Sequence, residues 1–200
     1  MSVRVTVIYY SATGSVHRLA ESVADGARAA GAEVRLRRTP ELAPDAAIAA
    51  NPVWQAHVDA TKDSVRTAVL EDLEWCNALA LGTPTRFGTP AAQLKQFIDS
   101  TGGLWQAGGF VDKPATTFTS SANNHGGQES TILALNNVLY HWGCIIVPTG
   151  YTDPLVSEAG GNPYGTSWAS GAGALPDEAT VSAAHYQCKR LAAIAARLQG

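Results

Sequence analysis

The first forty residues constrain this chain most. Val3 to Tyr9 is a run rich in β-branched residues and reads as a buried strand. A short polar turn follows, and then Val16, Leu19, Ala20, Val23, Ala24 and Ala27 recur at helical spacing. Gly31 stands where a helix stop is expected, and Glu33 to Arg38 reads as a second strand with Val34 and Leu36 on one face. Strand, helix and strand in so short a span form a βαβ unit, whose two strands run parallel.

The rest of the chain repeats this alternation. Residues 40 to 75 are punctuated by Pro40, Pro44 and Pro52, and a helix is expected over Thr61–Leu73. Ala78–Gly82 reads as the third strand, Ala91–Ser100 as a helix, Ala115–Ser120 as the fourth strand, Ser130–His141 as a helix and Cys144–Pro148 as the fifth strand. Residues 151 to 176 are Gly-rich and polar and are expected to be a long functional or interface loop. Asp177–Gln199 closes the chain as a helix, with Pro176 and Asp177 as its start signal. The expectation is one domain over residues 1–200: an α/β doubly wound, five-stranded parallel sheet with helices on both faces. In such sheets ligands sit beyond the carboxyl ends of the strands, where strand order reverses.

Composition narrows the function classes. With 46% hydrophobic and 16% charged residues the chain can bury a core. A net charge of −3 argues against nucleic acid as the main partner. No apolar stretch reaches bilayer-spanning length, and the N-terminus enters the first strand without a signal-peptide pattern. Cys76, Cys144 and Cys188 are odd in number and widely spaced, which fits a reducing, cytoplasmic setting and gives no metal-ligand pattern.

Three loops carry the chemistry. The first, Ser11-Ala12-Thr13-Gly14-Ser15-Val16, opens a helix, where unpaired backbone N–H groups favour an anion. It holds hydroxyls and no Lys, and lacks both the P-loop and the three-glycine dinucleotide patterns, so a monophosphate ester suits it better than a nucleoside triphosphate. A plain N-cap would use the same residues. The second, Gly82-Thr83-Pro84-Thr85-Arg86-Phe87-Gly88-Thr89-Pro90, is braced by Gly and Pro and offers an aromatic ring and one positive charge. It suits the polar edge of a planar ring, or a rigid surface turn. The third, Ser120-Ser121-Ala122-Asn123-Asn124-His125-Gly126-Gly127, follows a strand and presents many hydrogen-bonding groups, with His125 either a ligand contact or a local cap.

Together these loops resemble the WrbA-type NAD(P)H:quinone oxidoreductases of the flavodoxin-like superfamily. The specific strings are Gly82-Thr83-Pro84-Thr85-Arg86-Phe87-Gly88 and Thr101-Gly102-Gly103-Leu104-Trp105, supported by Tyr9-Tyr10-Ser11, Phe118-Thr119-Ser120, His125-Gly126-Gly127-Gln128-Glu129, Val147-Pro148 with Gly150-Tyr151, and Pro163-Tyr164-Gly165. The resemblance implies non-covalent FMN and two-electron, ping-pong transfer from NADH or NADPH to a quinone. It maps the phosphate to Ser11–Val16 and the ring contacts to Pro84–Gly88 and Ser120–Gly127. It implies a homo-oligomer, dimer or tetramer, with Trp105 near the nicotinamide or quinone and His141 as a second substrate contact. The chain departs from the family twice. Thr13 stands where many members have Tyr, and His141-Trp142-Gly143 replaces a His-His-Gly string, which puts Trp142 at the flavin-facing position. A flavodoxin-type electron carrier, or an FMN reductase with another acceptor, remains the alternative.

Overall fold

A computed structural model describes residues 2–199; the first and last residues of the expected 1–200 span lie outside it. The element order is β1 (Arg4–Tyr9), α1 (Ser15–Ala29), β2 (Glu33–Arg38), α2 (Asp45–Ala49), α3 (Pro52–Thr61), α4 (Leu70–Trp75), β3 (Ala78–Arg86), β4 (Thr89–Pro90), α5 (Ala92–Asp99), α6 (Gly102–Gln106), β5 (Pro114–Ser121), α7 (Gln128–Trp142), β6 (Ile145–Ile146), α8 (Pro154–Glu158), β7 (Ser167–Ala169) and α9 (Glu178–Leu198). The sheet runs β2-β1-β3-β5-β6 with those neighbours parallel, so strand order reverses between β1 and β3.

Period-two alternation along the strands divides the core between the two faces of the sheet. Val5, Val7 and Tyr9 of β1 pack with Leu19, Val23 and Leu191 beneath α1 and α9. Ile8 and Tyr10 pack with Leu81, Leu94, Leu135 and Leu139 beneath α5 and α7. Helices α1 and α9 approach so closely at Gly26 that a Cβ there would lie 2.0 Å from the carbonyl oxygen of His185, so no larger residue fits.

Three sequence expectations are corrected. The helix expected over Thr61–Leu73 is two separate helices, one upstream at Pro52–Thr61 and one at Leu70–Trp75 that overlaps only the end of the expected span. Asn51 caps the upstream helix by accepting from the N–H groups of Val53 and Trp54, and Pro52 is its first residue, so this proline starts a helix instead of interrupting one. Residues 66–68 are drawn out along the β2 edge instead, through Arg38 N–H to the Arg66 carbonyl and Ala68 N–H to the Arg38 carbonyl. The loop expected over Gly82–Pro90 is largely β-structure: β3 continues to Arg86 and turns at Phe87-Gly88 into β4. The Gly-rich stretch contains α8 and β7, and β7 pairs with β5 beyond the point where β6 stops. The fifth strand is therefore in two pieces, with residues 147–166 looped out between them.

Candidate active site

The three loops meet at the carboxyl ends of β1, β3 and β5 and enclose a cavity of about 650 Å³. That size suits a small-molecule cofactor. From the first loop, Ser11, Ala12, Thr13, Ser15 and Val16 line it. Gly14 stands behind them as the N-cap of α1, with φ of 95°. Its N–H donates to Ser11 Oγ at 3.1 Å, and the Ser15 hydroxyl donates to the Ala174 carbonyl at 3.0 Å. Ser15 thus fastens the loop to a later segment, while Ser11 and Thr13 keep their hydroxyls at the cavity.

The second loop contributes Pro84, Thr85, Arg86 and Phe87. Thr85 Oγ1 accepts from Gly88 N–H at 3.1 Å and from the Thr131 hydroxyl at 2.8 Å, which fixes the hairpin against α7. Arg86 donates to the Thr85 carbonyl and is otherwise exposed. Phe87 is fully exposed and has a φ of 53°. The third loop contributes Ser120, Ser121, Ala122, Asn123 and Gly126. Gly88 and Gly127 stand behind the wall, one against the other. Asn124 and His125 face a different cavity of about 410 Å³, which they line with Glu129, Asn162 and Trp168.

Two contributors escaped the sequence reading. Ser170, Gly171, Ala172 and Gly173 form a strap across the cavity. The N–H and hydroxyl of Ser170 both reach the Ser121 carbonyl, at 2.7 and 3.0 Å, and Gly171 N–H reaches the Ala122 carbonyl at 3.0 Å. The glycines were visible in the sequence, but their pairing with β5 depends on the split fifth strand. Asn51 also lines the cavity; its Asn-Pro helix-start pattern was the available signal.

Trp105, His141 and Trp142 do not join this cavity. They line a third one, of about 400 Å³, between α5 and α7. Trp142 is buried and stacked on Phe110, with ring centroids 4.0 Å apart and planes 10° from parallel. The indole fills the core under α7, so within one chain it does not take the flavin-facing position that the His-Trp-Gly string suggested. Trp105 lies on the short α6, and its indole N–H donates to the His141 carbonyl at 2.8 Å.

Polar groups behind the first loop hold it in place. The Tyr9 hydroxyl and His17 Nδ1 are 2.5 Å apart, and the rings of His17 and His57 have centroids 5.3 Å apart. Burial, then the neighbouring His17 and Arg38, pushes His57 down to about 4. Burial likewise lowers His17, against the opposing pull of Glu21. Glu41 accepts from the Tyr10 hydroxyl, the Trp54 indole, the Gln93 amide and the N–H groups of Leu42 and Ala43. Burial pushes its carboxyl up, but hydrogen bonds from Ala43, Gln93, Tyr10 and Leu42 outweigh that and hold it below its ordinary value.

The residues around the main cavity fit a phosphorylated flavin. Ser11 and Thr13 set hydroxyls at the N-terminus of a fifteen-residue helix. No carboxylate is among the lining residues, and the one formal charge is that of Arg86. The opposite wall supplies amide and hydroxyl groups from Ser120 to Asn123.

Comparison with known proteins agrees with this. A protein from Deinococcus radiodurans named NAD(P)H dehydrogenase (quinone) is 40% identical over 198 residues, covering 99% of this chain and 98% of the relative. One of the same name from Geobacter sulfurreducens is 43% identical over 204 residues, covering 98% and 99%. Among solved structures, a flavodoxin, WrbA-like protein from Agrobacterium tumefaciens superposes with a TM-score of 0.69 at 23% identity, covering 98% and 99% of the two chains. The two-electron reduced flavodoxin of Megasphaera elsdenii gives 0.59 at 15%, covering 94% and 98%. These superpositions establish the flavodoxin-like fold. Residues 3–153 match the family described as NADPH-dependent FMN reductase, and with full-length relatives at this identity the chain belongs to that family.

Proposed function

We propose that the protein is an FMN-dependent NAD(P)H:quinone oxidoreductase whose cofactor lies in the main cavity. The observation that carries this is the meeting of the three loops around one cavity at the reversal of strand order, with hydroxyls and a helix N-terminus at one end and no carboxylate. The names of the full-length relatives support the reaction class. When bound, FMN supplies the ring that takes hydride from the nicotinamide and passes it to the quinone. The chain supplies the surroundings. Ser11, Thr13 and the first-turn N–H groups of α1 hold the phosphate dianion. Thr85, braced by Thr131, presents one edge of the cavity, and Arg86 places a positive charge that favours the electron-rich reduced ring. The Ser120–Asn123 wall and the Ser170–Gly173 strap limit water, and Phe87 at the mouth offers an aromatic face to the second substrate. No protein nucleophile is required.

The assembly is a homo-oligomer in this reading. Trp105 lines the cavity between α5 and α7 and is 51% exposed, and Leu133 and Tyr140 on α7 are 45% and 68% exposed, apolar side chains that a second copy would cover. Sedimentation of the purified protein tests it: a monomer with full activity would reject it. The described residues contain no helix long and apolar enough to cross a membrane. With three unpaired cysteines, the reading places the enzyme in the cytoplasm as one working unit over the whole chain.

The test of the reaction is anaerobic mixing of the FMN-loaded protein with NADH or NADPH, followed by benzoquinone. Rapid loss and rapid recovery of the flavin absorbance are expected. Bound flavin that stays oxidised would overturn the enzyme reading in favour of an electron carrier.

A further inference from the structure

Behind the third loop runs a chain of four hydrogen bonds with one direction throughout. Asn162 Nδ2 donates to Ser167 Oγ at 3.0 Å, and the Ser167 hydroxyl donates to Gln128 Oε1 at 2.7 Å. Gln128 Nε2 donates to Ser121 Oγ at 2.9 Å, and the Ser121 hydroxyl donates to the Asn123 carbonyl at 2.6 Å. Gln128, Ser121 and Ser167 are 9%, 4% and 7% exposed, so water does not compete for these groups. The direction follows from chemistry. Each hydroxyl has one proton, and only this orientation of the Gln128 amide gives both protons an acceptor. Turning the amide over would draw the Ser121 proton to Oε1 and release the Asn123 carbonyl.

The far end of the chain is a wall of the main cavity. The Asn123 carbonyl also accepts from Gly126 N–H at 3.0 Å, closing a tight turn, and Asn123 and Gly126 both line the cavity. Ser121 holds the strap as well, since its carbonyl accepts both bonds from Ser170. Gln128 itself does not line the cavity. It touches the cavity wall through Ser121 and nothing else in the chain of bonds.

We infer that Gln128 is a positioning residue for the flavin: acting through Ser121, its side-chain amide fixes the Asn123–Gly126 turn and the strap in the shape that receives the ring. This rests on the proposed cofactor. A hydrophobic side chain of similar length at this position would keep the packing but remove the donor to Ser121 Oγ and the acceptor of the Ser167 hydroxyl, so the Ser121 hydroxyl that braces the turn would itself be held by one bond fewer.

The experiment measures FMN dissociation constants by flavin fluorescence, with visible circular dichroism of the bound flavin and Tm, for the full chain and for Gln128→Met, Ser121→Ala and the double variant. Gln128→Met is expected to weaken FMN about tenfold and to alter the visible dichroism, as loss of one or two buried hydrogen bonds allows. The double variant is expected to be no weaker than the worse single variant, because both break one path. If Gln128→Met does not fold, Ser167→Ala replaces it: it removes the group that orients the amide, leaves Gln128 in place, and is expected to weaken FMN in the same direction. A lowered Tm with an FMN constant within twofold of wild type and an unchanged dichroism would overturn the inference, as would additive losses in the double variant. Wild-type protein that binds no FMN would overturn the cofactor reading, and this inference with it.

Discussion

A Cβ on Gly127 would lie 2.8 Å from the Cα of Gly88. The second and third loops of the cavity wall thus meet backbone to backbone behind it. Gly127 has a φ of 93° and is the N-cap of α7, so it has both the wrong conformation and too little space for a side chain. Gly127→Ala is expected to destabilise the protein by about 2–3 kcal/mol, combining left-handed strain with overpacking. Because relief requires the Phe87–Gly88 turn to move, FMN affinity is expected to fall as well. Urea unfolding and fluorescence titration measure the two effects, and unchanged affinity would show that the hairpin does not depend on this contact.

Glu41 ties four parts of the molecule together: the end of β1 through Tyr10, α3 through Trp54, α5 through Gln93, and its own turn through Leu42 and Ala43. Glu41→Ala leaves these donors unmatched and is expected to cost about 2–4 kcal/mol. The carboxyl is held below its ordinary value in the folded state, so its contribution is complete above the unfolded pKa and is lost as pH falls through the folded value. Wild type and variant are therefore expected to converge in stability in acid. A constant difference across pH would contradict the clamp.

The sequence carried the α/β alternation well, because α1, α7 and α9 have apolar residues at helical spacing and the strands between them are short runs rich in β-branched residues or bounded by turn residues. It carried the three loops because they sit where a doubly wound sheet places ligands. What it did not carry was long-range pairing. Nothing local marks residues 66–68 as an extended neighbour of Arg38, or Ser167–Ala169 as the second half of the edge strand. The strap depends on that second half, so the sequence shows only a Gly-rich functional or interface loop and not its place in the cavity wall. Trp142 shows a different limit: alignment to a family string places a residue in sequence, while stacking on Phe110 decides where its ring goes.

The histidine pair predicts how stability responds to acid. His57 is pushed down to about 4 by burial, with His17 and Arg38 adding to the effect and Glu41 opposing it. The unfolded chain binds a proton near 6.5, so between these values the unfolded state holds the proton and the folded state does not. Stability contributed by the neutral ring is thus intact above 6.5 and lost as pH falls toward 4. With solvent screening of a partly exposed ring, the loss is of the order of 1–2 kcal/mol. His57→Gln is expected to flatten the pH dependence of Tm across that window. An equally steep profile in the variant would assign the acid loss elsewhere.

Phe87 provides a prediction in which stability and function move apart. Phe87 and Gly88 have φ values of 53° and 80° at the tip of the β3–β4 hairpin, a two-residue turn that favours Asn-Gly. A bulky residue in the left-handed region costs about 1 kcal/mol, and the ring recovers nothing by burial, since it is 106% exposed. Packing within the chain therefore does not explain the side chain, and its position at the mouth of the cavity does. Phe87→Asn is expected to raise stability by about 0.5–1 kcal/mol by relieving the strain. The same change is expected to raise the KM for quinone several-fold, because the aromatic face is gone, while the FMN constant changes little. Unfolding curves and steady-state kinetics on one preparation read both quantities. A variant that gains stability and keeps its KM would leave the strain without a functional reason; one that loses stability would show that a neighbouring copy buries the ring.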